Sequence, residues 1–376
     1  MKYRSFGRTG WNASSLAFGC MRLPCNGAQD KVDEALTIRM IRTAIDAGVN
    51  YVDTAYPYHG GRSEVALGKA LKDGYRGKVK VADKMPMWLV KQPADLDRLF
   101  NEQLERLQTD HVELYLLHAL NRQTWKKARE VGALEWAERQ VKAGRIQWVG
   151  FSFHDELSVF KEIVEGWDKW TFCMIFYNYA SETVQAGTAG LRYAASRGLA
   201  VSVMEPLMGG NLVNPPPAVK ALWDKAPRPR TPADWALQWV WNKPEVSVVL
   251  SGMGSMAQVQ ENLASAERAE AGSLSAQEVD LVSQVAAAYE KLRPIPCTQC
   301  NYCMPCPNGV NIPRVLDVYN KSVAFANPGE ATREFGFFKP TERAGSCTEC
   351  QECEGKCPQE VPVHEWMKKI AAEFGG

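Results

Sequence analysis

Eight short apolar runs recur along the first 250 residues of this 376-residue chain, and stretches with helical periodicity separate them. The runs end near residues 20, 53, 84, 118, 152, 177, 204 and 250, so 25 to 46 residues lie between one end and the next. A parallel strand and its return helix need about 30 residues. Eight such units in about 250 residues are the number and size of a (β/α)8 barrel. The sequence therefore predicts an α/β fold that begins with a closed parallel barrel, a TIM barrel.

Two segments depart from this rhythm. Residues 3–16, with Gly7 and Gly10 near the middle, are typical of a β-hairpin, which we expect to cover the N-terminal end of the barrel. The long interval before the last run holds the prolines at 215–217 and several more at 227–232. Proline fixes φ and favours extended backbone, and a long loop at the C-terminal end of a barrel strand is a candidate lid.

The strand–helix alternation stops before residue 293. A final helical pattern at 275–292 is followed by a segment with two prolines at 293–296, which cannot continue a helix. The periodic segments beyond this point are helical, and none alternates like a strand. We predict two domains: a barrel at 1–292 and a small, mostly helical domain at 293–376.

The second predicted domain contains eight of the 11 cysteines, in two sets of four. In each set two residues separate the first three cysteines, and a proline follows the fourth. The sets are Cys297, Cys300, Cys303, Cys306 and Cys347, Cys350, Cys353, Cys357. The second set has the bacterial ferredoxin spacing, and the first is one residue shorter before its fourth cysteine. In two-cluster ferredoxins the fourth cysteine of a run serves the other cluster. We therefore predict one 4Fe–4S cluster on the first three cysteines of the first set with Cys357, and another on the first three of the second set with Cys306.

Zinc and disulfides are the alternatives for these cysteines. Zinc sites of this kind use two separated pairs instead of a run of three followed by Cys-Pro. Disulfides need an oxidising compartment, and residues 1–7 lack the apolar stretch of an export signal, so we expect a cytoplasmic location. The ligands resemble those of a two-cluster ferredoxin, and the 40 residues between Cys306 and Cys347 favour the helical ferredoxin type. A net charge of +1 and the lack of a membrane-length apolar run argue against nucleic acid or a membrane as a partner.

Polar residues lie at the ends of three consecutive predicted strands. Asp53 and Tyr58 follow the second strand, Lys84 ends the third and His118 ends the fourth. Because TIM-barrel chemistry occurs at the C-terminal ends of the strands, these side chains can converge. A lysine ammonium stabilises a phenolate, an aspartate balances the lysine, and a histidine orients a carbonyl oxygen. Each residue alone has a structural explanation, but the four together suit proton donation to a carbonyl oxygen while a hydride reaches its carbon.

The sequence around these residues resembles the aldo-keto reductase signature. The matching segments are 48–55 with Tyr58, 63–71, Lys84, and 115–118. The resemblance implies a carbonyl reductase that uses NADPH and has no metal in the barrel. By family role Tyr58 donates the proton, Lys84 lowers its pKa, Asp53 holds Lys84, and His118 orients the carbonyl. Tyr56 is a nearby alternative phenol, but its spacing from Asp53 does not match the motif.

The resemblance also implies where the dinucleotide binds, without a Rossmann G-x-G-x-x-G motif. Residues 251–262 resemble the segment that holds the adenosine 2′-phosphate at a helix N-terminus, and residues 205–210 resemble the segment that clasps the diphosphate. The predicted cofactor-binding residues are Ser152, Glu205, Pro206, Leu207, Gly209, Ser251, Gly252, Met253, Gln258, Glu261 and Asn262. Phe153, Met174 and Met204 replace residues that the family usually has around the nicotinamide, so NADH stays open beside NADPH.

The whole chain resembles a branch of the family that carries a C-terminal ferredoxin-type domain. Carbonyl reduction by NADPH needs no iron–sulfur cluster, so the clusters have three possible roles. They stabilise the protein, or they exchange electrons with a flavoprotein or ferredoxin partner, or they report redox state in a sensing protein whose barrel only binds NADPH. The intact set of Asp53, Tyr58, Lys84 and His118 favours an enzyme acting on a small carbonyl or alcohol, with Trp88 as a candidate wall of its pocket.

Overall fold

The computed structural model describes residues 1–375. The chain divides into two compact units, one formed by residues 1–209 and 233–279, the other by residues 210–232 and the chain from Asp280 onward. The segment 210–232, which contains the proline-rich stretch, thus groups with the C-terminal unit. The domain boundary at residue 292 stays a prediction.

The first unit contains the predicted closed barrel of eight parallel strands. Its strands are β3 Leu16–Gly19, β4 Tyr51–Asp53, β5 Lys80–Met85, β6 Val112–Leu120, β7 Ile146–Phe153, β8 Phe172–Phe176, β9 Ala200–Met204 and β10 Val248–Gly252. They pair in chain order, and β10 closes the ring against β3 with Val249 opposite Leu16. Almost every strand residue is buried, as expected for parallel strands that are covered on both faces.

A hairpin precedes the barrel, as predicted. Its strands β1 Tyr3–Ser5 and β2 Asn12–Ser14 are antiparallel. Phe6 leaves the hairpin and is fully buried, with its ring 5.4 Å from that of Phe172. Gly7 has φ +54°, and a Cβ there would lie 2.5 Å from the backbone nitrogen of Ala200, so only glycine fits. The hairpin therefore covers the N-terminal end of the barrel.

Helices surround the barrel and form the C-terminal unit. They are α1 Glu34–Asp46, α2 Arg62–Ala70, α3 Ala94–Leu107, α4 Arg122–Glu130, α5 Ala133–Lys142, α6 Leu157–Glu165, α7 Gly187–Ser196, α8 Pro217–Trp223, α9 Pro232–Trp241, α10 Met256–Ala266, α11 Ala276–Lys291, α12 Ile312–Ala324, α13 Pro328–Phe335 and α14 Val363–Phe374. The expectation of an extended proline-rich loop was wrong at α8. Pro217 occupies the first turn of that helix, where the missing N–H has no partner to lose.

The C-terminal unit has its own apolar core. Val315 and Leu316 of α12 pack with Met367 and Ile370 of α14, and six of the eight clustered cysteines lie against this core. The described part of this unit contains helices and no strand, as predicted. None of the helices between residues 1 and 375 is long and apolar enough to cross a bilayer.

Candidate active site

The four side chains predicted to be catalytic meet at the C-terminal end of the barrel. Lys84 Nζ lies 2.5 Å from Asp53 Oδ1, 2.7 Å from the carbonyl oxygen of Thr54 and 3.4 Å from the Tyr58 hydroxyl. The rings of Tyr58 and His118 meet edge to face, with their centroids 6.1 Å apart. Lys84 and Asp53 are almost completely buried, at 1% and 3% exposure, so their charges are shielded from water.

Strand register explains this convergence. Asp53, the last residue of β4, lies opposite Ala82 of β5. Lys84 is two residues beyond Ala82 and therefore points to the same face. Tyr58 begins a 3-10 turn that leads directly into α2. Gly61 ends this turn with φ +86°, and a Cβ on Gly61 would lie 2.9 Å from the Arg106 guanidinium.

The electrostatics of the site keep both Tyr58 and Lys84 protonated at neutral pH. Burial raises the pKa of Tyr58, and the ammonium of Lys84 opposes that rise. Burial lowers the pKa of Lys84, but the charge and hydrogen bond of Asp53 together with the nearby Tyr58 outweigh burial, so the net shift is upward. Burial raises the pKa of Asp53, and Lys84 opposes this rise in turn. The site therefore holds a phenolic proton next to a fixed positive charge.

His118 is neutral in this environment. Burial and the charge of Lys84 hold the pKa of its imidazole well below the usual range. Its Nδ1 is buried without a hydrogen-bond partner. Trp88 lies beside it, with ring centroids 5.0 Å apart, and is 42% exposed. The Trp88 side chain therefore stands next to the cluster, in the position expected of a pocket wall.

The competing phenol lies elsewhere. The Tyr56 hydroxyl donates to Glu102 Oε2 at 2.7 Å, and the Arg106 guanidinium covers its ring at 4.3 Å. Tyr56 thus belongs to a network with Glu102 and Arg106 of α3, whereas Tyr58 lies beside Lys84.

The segment between β10 and α10 forms a capped helix N-terminus. Ser255 caps α10 by accepting the N–H of Gln258, and the Gln258 side chain accepts the N–H of Gly254 at 2.7 Å. Asn262 donates to the Ser251 hydroxyl at 2.8 Å, and both are buried. These two predicted cofactor residues tie α10 to the strand before it.

The remaining predicted cofactor residues lie at several strand ends. Met253 is fully buried, whereas Gly252 is exposed. Glu261 lies in the second turn of α10. The Ser152 hydroxyl, at the end of β7, accepts the N–H of Ala119 at 2.7 Å.

The segment after β9 makes a tight turn. Glu205 has φ +57° and Gly209 has φ +66°, and the N–H of Met208 donates to the carbonyl of Glu205 at 3.0 Å. Within this turn Pro206 is buried and Leu207 is half-buried. The Asn178 side chain, which the sequence reasoning missed, donates to the same carbonyl oxygen at 3.2 Å. These bonds hold the turn against the end of β8.

Arg22 is a second residue that sequence reasoning missed. Its guanidinium lies 3.8 Å from Glu205 Oε1, and a Cβ on Gly209 would come within 2.7 Å of it. The Arg22 side chain also passes Gly252, where a Cβ would meet it at 3.2 Å. A cation thus lies between the two segments predicted to hold the dinucleotide, in space that the missing side chains of Gly209 and Gly252 leave for it, and a cation at this place suits a diphosphate or phosphate. The available signal was its position shortly after the first barrel strand, three residues beyond Gly19.

The clustered cysteines line two separate cavities. Cys297, Cys300, Cys303 and Cys357 all line the first cavity. The second is lined by Cys306, Cys347, Cys350 and Cys353, with Cys303 at its edge. Fourth cysteines from the two runs are therefore exchanged between the cavities. Among residues 1–375, no three His, Cys, Asp or Glu side chains converge on one point that would hold a single metal ion.

Comparison with known proteins decides the family. The aldo/keto reductase family model matches residues 15–287, which include the barrel and the four convergent side chains. The chain belongs to the aldo/keto reductase family. Residues 296–362 match the model of a 4Fe-4S dicluster domain, so this reductase carries an iron–sulfur domain after its barrel.

One relative and two solved structures each cover more than three quarters of this chain. L-galactose dehydrogenase of Arabidopsis thaliana is 28% identical over 316 residues, which are 78% of this chain and 96% of the relative. The holo form of the aldo-keto reductase AKR11C1 from Bacillus halodurans has a TM-score of 0.64 and 26% identity, covering 76% of this chain and 96% of that one. An aldo-keto reductase from Klebsiella pneumoniae in complex with NADPH shares the fold, with a TM-score of 0.61, 22% identity and coverage of 76% and 95%.

Proposed function

We propose that this protein is an NAD(P)H-dependent oxidoreductase that reduces a carbonyl compound, or oxidises the corresponding alcohol, with Tyr58 as the general acid. One observation carries the proposal: the buried Lys84 ammonium contacts both the Asp53 carboxylate and the Tyr58 hydroxyl, and His118 stands against the Tyr58 ring. When bound, the nicotinamide cofactor supplies the hydride.

Each of the four residues has a distinct part in the proton transfer. Tyr58 keeps its proton until a carbonyl oxygen accepts it, because burial raises the pKa of the phenol. Lys84 stabilises the phenolate that forms, and Asp53 together with the Thr54 carbonyl holds the ammonium in place. The neutral imidazole of His118 can orient the substrate oxygen by hydrogen bonding without competing as an acid.

Binding of the dinucleotide across the barrel mouth is supported by the charge found there. Arg22 offers a cation to the phosphates, and Gly209 and Gly252, which lack side chains, leave room for the Arg22 side chain between the two segments. The N-terminus of α10 offers further N–H groups. The Klebsiella pneumoniae reductase of similar fold is described as a complex with NADPH, which favours NADPH as the first cofactor to test and NADH as the second.

We further propose that the C-terminal domain holds two 4Fe–4S clusters with crossed ligands. The two cysteine-lined cavities support this, since each is lined by three cysteines of one run and the fourth of the other. Cys300 and Cys350 are exposed, which favours electron exchange with an external partner such as a flavoprotein or a ferredoxin.

The proposed reaction is tested by Lys84→Met and Tyr58→Phe variants assayed against a panel of aldehydes, ketones and alcohols with NADPH and NADH. Both should lose at least about 100-fold in kcat. Tyr56→Phe is the matched control and should keep full activity, because Tyr56 bonds to α3 instead of the cluster. Undiminished turnover in Tyr58→Phe would overturn the role of Tyr58.

The clusters are tested by anaerobic purification and analysis of iron and sulfide. Two clusters predict about eight iron atoms for each chain. The redox-sensing alternative predicts that NADPH bleaches the cluster absorbance while no compound in the panel is turned over. Full carbonyl turnover in a cluster-free variant, with no bleaching by NADPH, would remove electron transfer from the proposed reaction.

A further inference from the structure

The peptide of Lys84 lies beyond the end of its neighbouring strand. The last β4–β5 backbone bond beside it runs from the N–H of Thr54 to the carbonyl of Ala82. Lys84 is two residues further along β5, so its N–H and C=O point to the same side, where β4 has already ended. Side chains form the hydrogen bonds to this N–H and this C=O instead. The N–H donates to Asp83 Oδ1 at 2.8 Å, and the C=O accepts from Gln103 Nε2 at 3.0 Å.

Asp83 belongs to a buried network between α2, α3 and β5. The carboxyl groups of Asp83 and Glu64 are neighbours in this network, and both residues are 0% exposed. Glu64 Oε2 also accepts from Arg106 at 2.8 Å. Two oxygens have no donor, Asp83 Oδ2 and Glu64 Oε1.

A proton held between the two carboxyl groups can supply the missing donor. If Asp83 is the neutral acid, its Oδ2–H can donate to the Glu64 carboxylate, so that Asp83 Oδ2 is no longer without a partner. The charges then balance, because Glu64 pairs with Arg106 and Asp53 pairs with Lys84. An ionised Asp83 would instead add an uncompensated buried charge, which is costly. Burial and the charge of Glu64 raise the pKa of Asp83 well above its usual range, in agreement with a neutral Asp83 side chain.

We propose that Asp83 is a protonated positioning residue for Lys84, donating its proton to Glu64 and accepting the amide N–H of Lys84. The Asp83 carboxyl group thus replaces a backbone partner that β4 no longer provides at this level of the sheet. It fixes the backbone from which the Lys84 side chain reaches Asp53 and Tyr58. The role of Lys84 in catalysis rests on the function proposed above, but the protonation state of Asp83 does not.

Infrared difference spectroscopy tests the protonation state on the intact protein, whatever its substrate. Asp83→Asn is the matched variant, since its amide keeps one acceptor for the Lys84 N–H and one donor for Glu64. The wild-type minus Asp83→Asn spectrum at neutral pH should contain the C=O band of a neutral carboxylic acid. Glu64→Gln should lose the same band, because its amide donates to Asp83 and makes the carboxylate the favoured form. A difference spectrum with only carboxylate bands would refute the proposal.

Kinetics test the positioning role. Asp83→Asn should keep kcat within about twofold of wild type, whereas Asp83→Ala, which removes both bonds, should lose at least about tenfold in kcat with the KM for the cofactor nearly unchanged. Equal kcat for Asp83→Ala and wild type would overturn the positioning role, and so would an Asp83→Asn variant as impaired as Asp83→Ala. If wild type turns over no carbonyl compound, the proposed function fails, while the infrared result still decides the state of Asp83.

Discussion

Removing the Lys84 charge should destabilise the protein because it leaves a buried carboxylate without its counter-ion. Asp53 is 3% exposed and bonds to Lys84 Nζ at 2.5 Å, so Lys84→Met leaves Asp53 without its counter-ion. Breaking one partner of a buried pair costs about 3–5 kcal/mol. At about 2–4 °C per kcal/mol, the Tm of the barrel should fall by roughly 6–20 °C near pH 8.

The double variant Asp53→Asn with Lys84→Met separates this charge effect from catalysis. It removes both charges while keeping similar volumes, so its Tm should return most of the way to wild type. Its carbonyl reductase activity should stay at the level of Lys84→Met, because no cation remains to stabilise the Tyr58 phenolate.

The pH dependence of the Lys84→Met variant tests whether the ionised Asp53 carboxylate causes its loss of stability. Burial already raises the pKa of Asp53, and loss of the Lys84 charge raises it further. A group whose pKa is raised on folding contributes stability at low pH that is lost as pH rises through the folded-state pKa. The Tm deficit of Lys84→Met should therefore shrink between pH 8 and pH 5.5.

Thermal unfolding followed by near-UV circular dichroism under anaerobic conditions measures all three effects. The control is Lys72→Met, which removes an exposed lysine and should change Tm by no more than about 2 °C. If the double variant is as unstable as Lys84→Met at both pH values, the unpaired Asp53 charge does not cause the loss of Tm, and the argument from the buried ion pair is refuted.

Three further predictions follow from the same geometry. Arg22→Gln should weaken NADPH binding at least about tenfold in a fluorescence titration and flatten its dependence on salt, with Arg8→Gln as the unaffected control; equal affinities would exclude Arg22 from the phosphate site. Because the pKa of Asp83 is raised on folding, wild type should lose stability relative to Asp83→Asn by about 1.4 kcal/mol per pH unit as pH rises above about 4, until Asp83 ionises in the folded state; parallel stability–pH curves would contradict this. Gly7→Ala should lower Tm through its φ of +54° and the 2.5 Å approach to Ala200, whereas Gly10→Ala, which meets nothing within 4 Å, isolates the conformational part of that loss.

Much of the barrel and of the candidate site could be predicted from the sequence. The eight strand ends fall within two residues of their predicted places because each strand is a short, continuous, locally encoded pattern. Asp53, Tyr58, Lys84 and His118 were found because a parallel barrel brings consecutive strand ends to one rim. The two sets of cysteines could also be identified from the sequence, since ligand spacing is a local property.

The proline-rich segment shows where local patterns stop being sufficient. Its prolines predicted extended backbone, yet Pro217 starts helix α8, and the whole segment 210–232 groups with the C-terminal unit. Proline excludes a helix interior but is compatible with a first turn, so the prolines alone could not distinguish a loop from a short helix.

By itself the sequence determined the fold class, the identity of the four convergent side chains and the two cysteine sets, because periodicity and spacing are read along the chain. Only the tertiary structure decided that Arg22 stands between Glu205 and Gly252, and that Asp83 of β5 meets Glu64 of α2. These residues lie far apart in sequence, and no local pattern joins them. Charge and protonation at both places depend on burial and on neighbours from other elements, and such quantities exist only once the chain is folded.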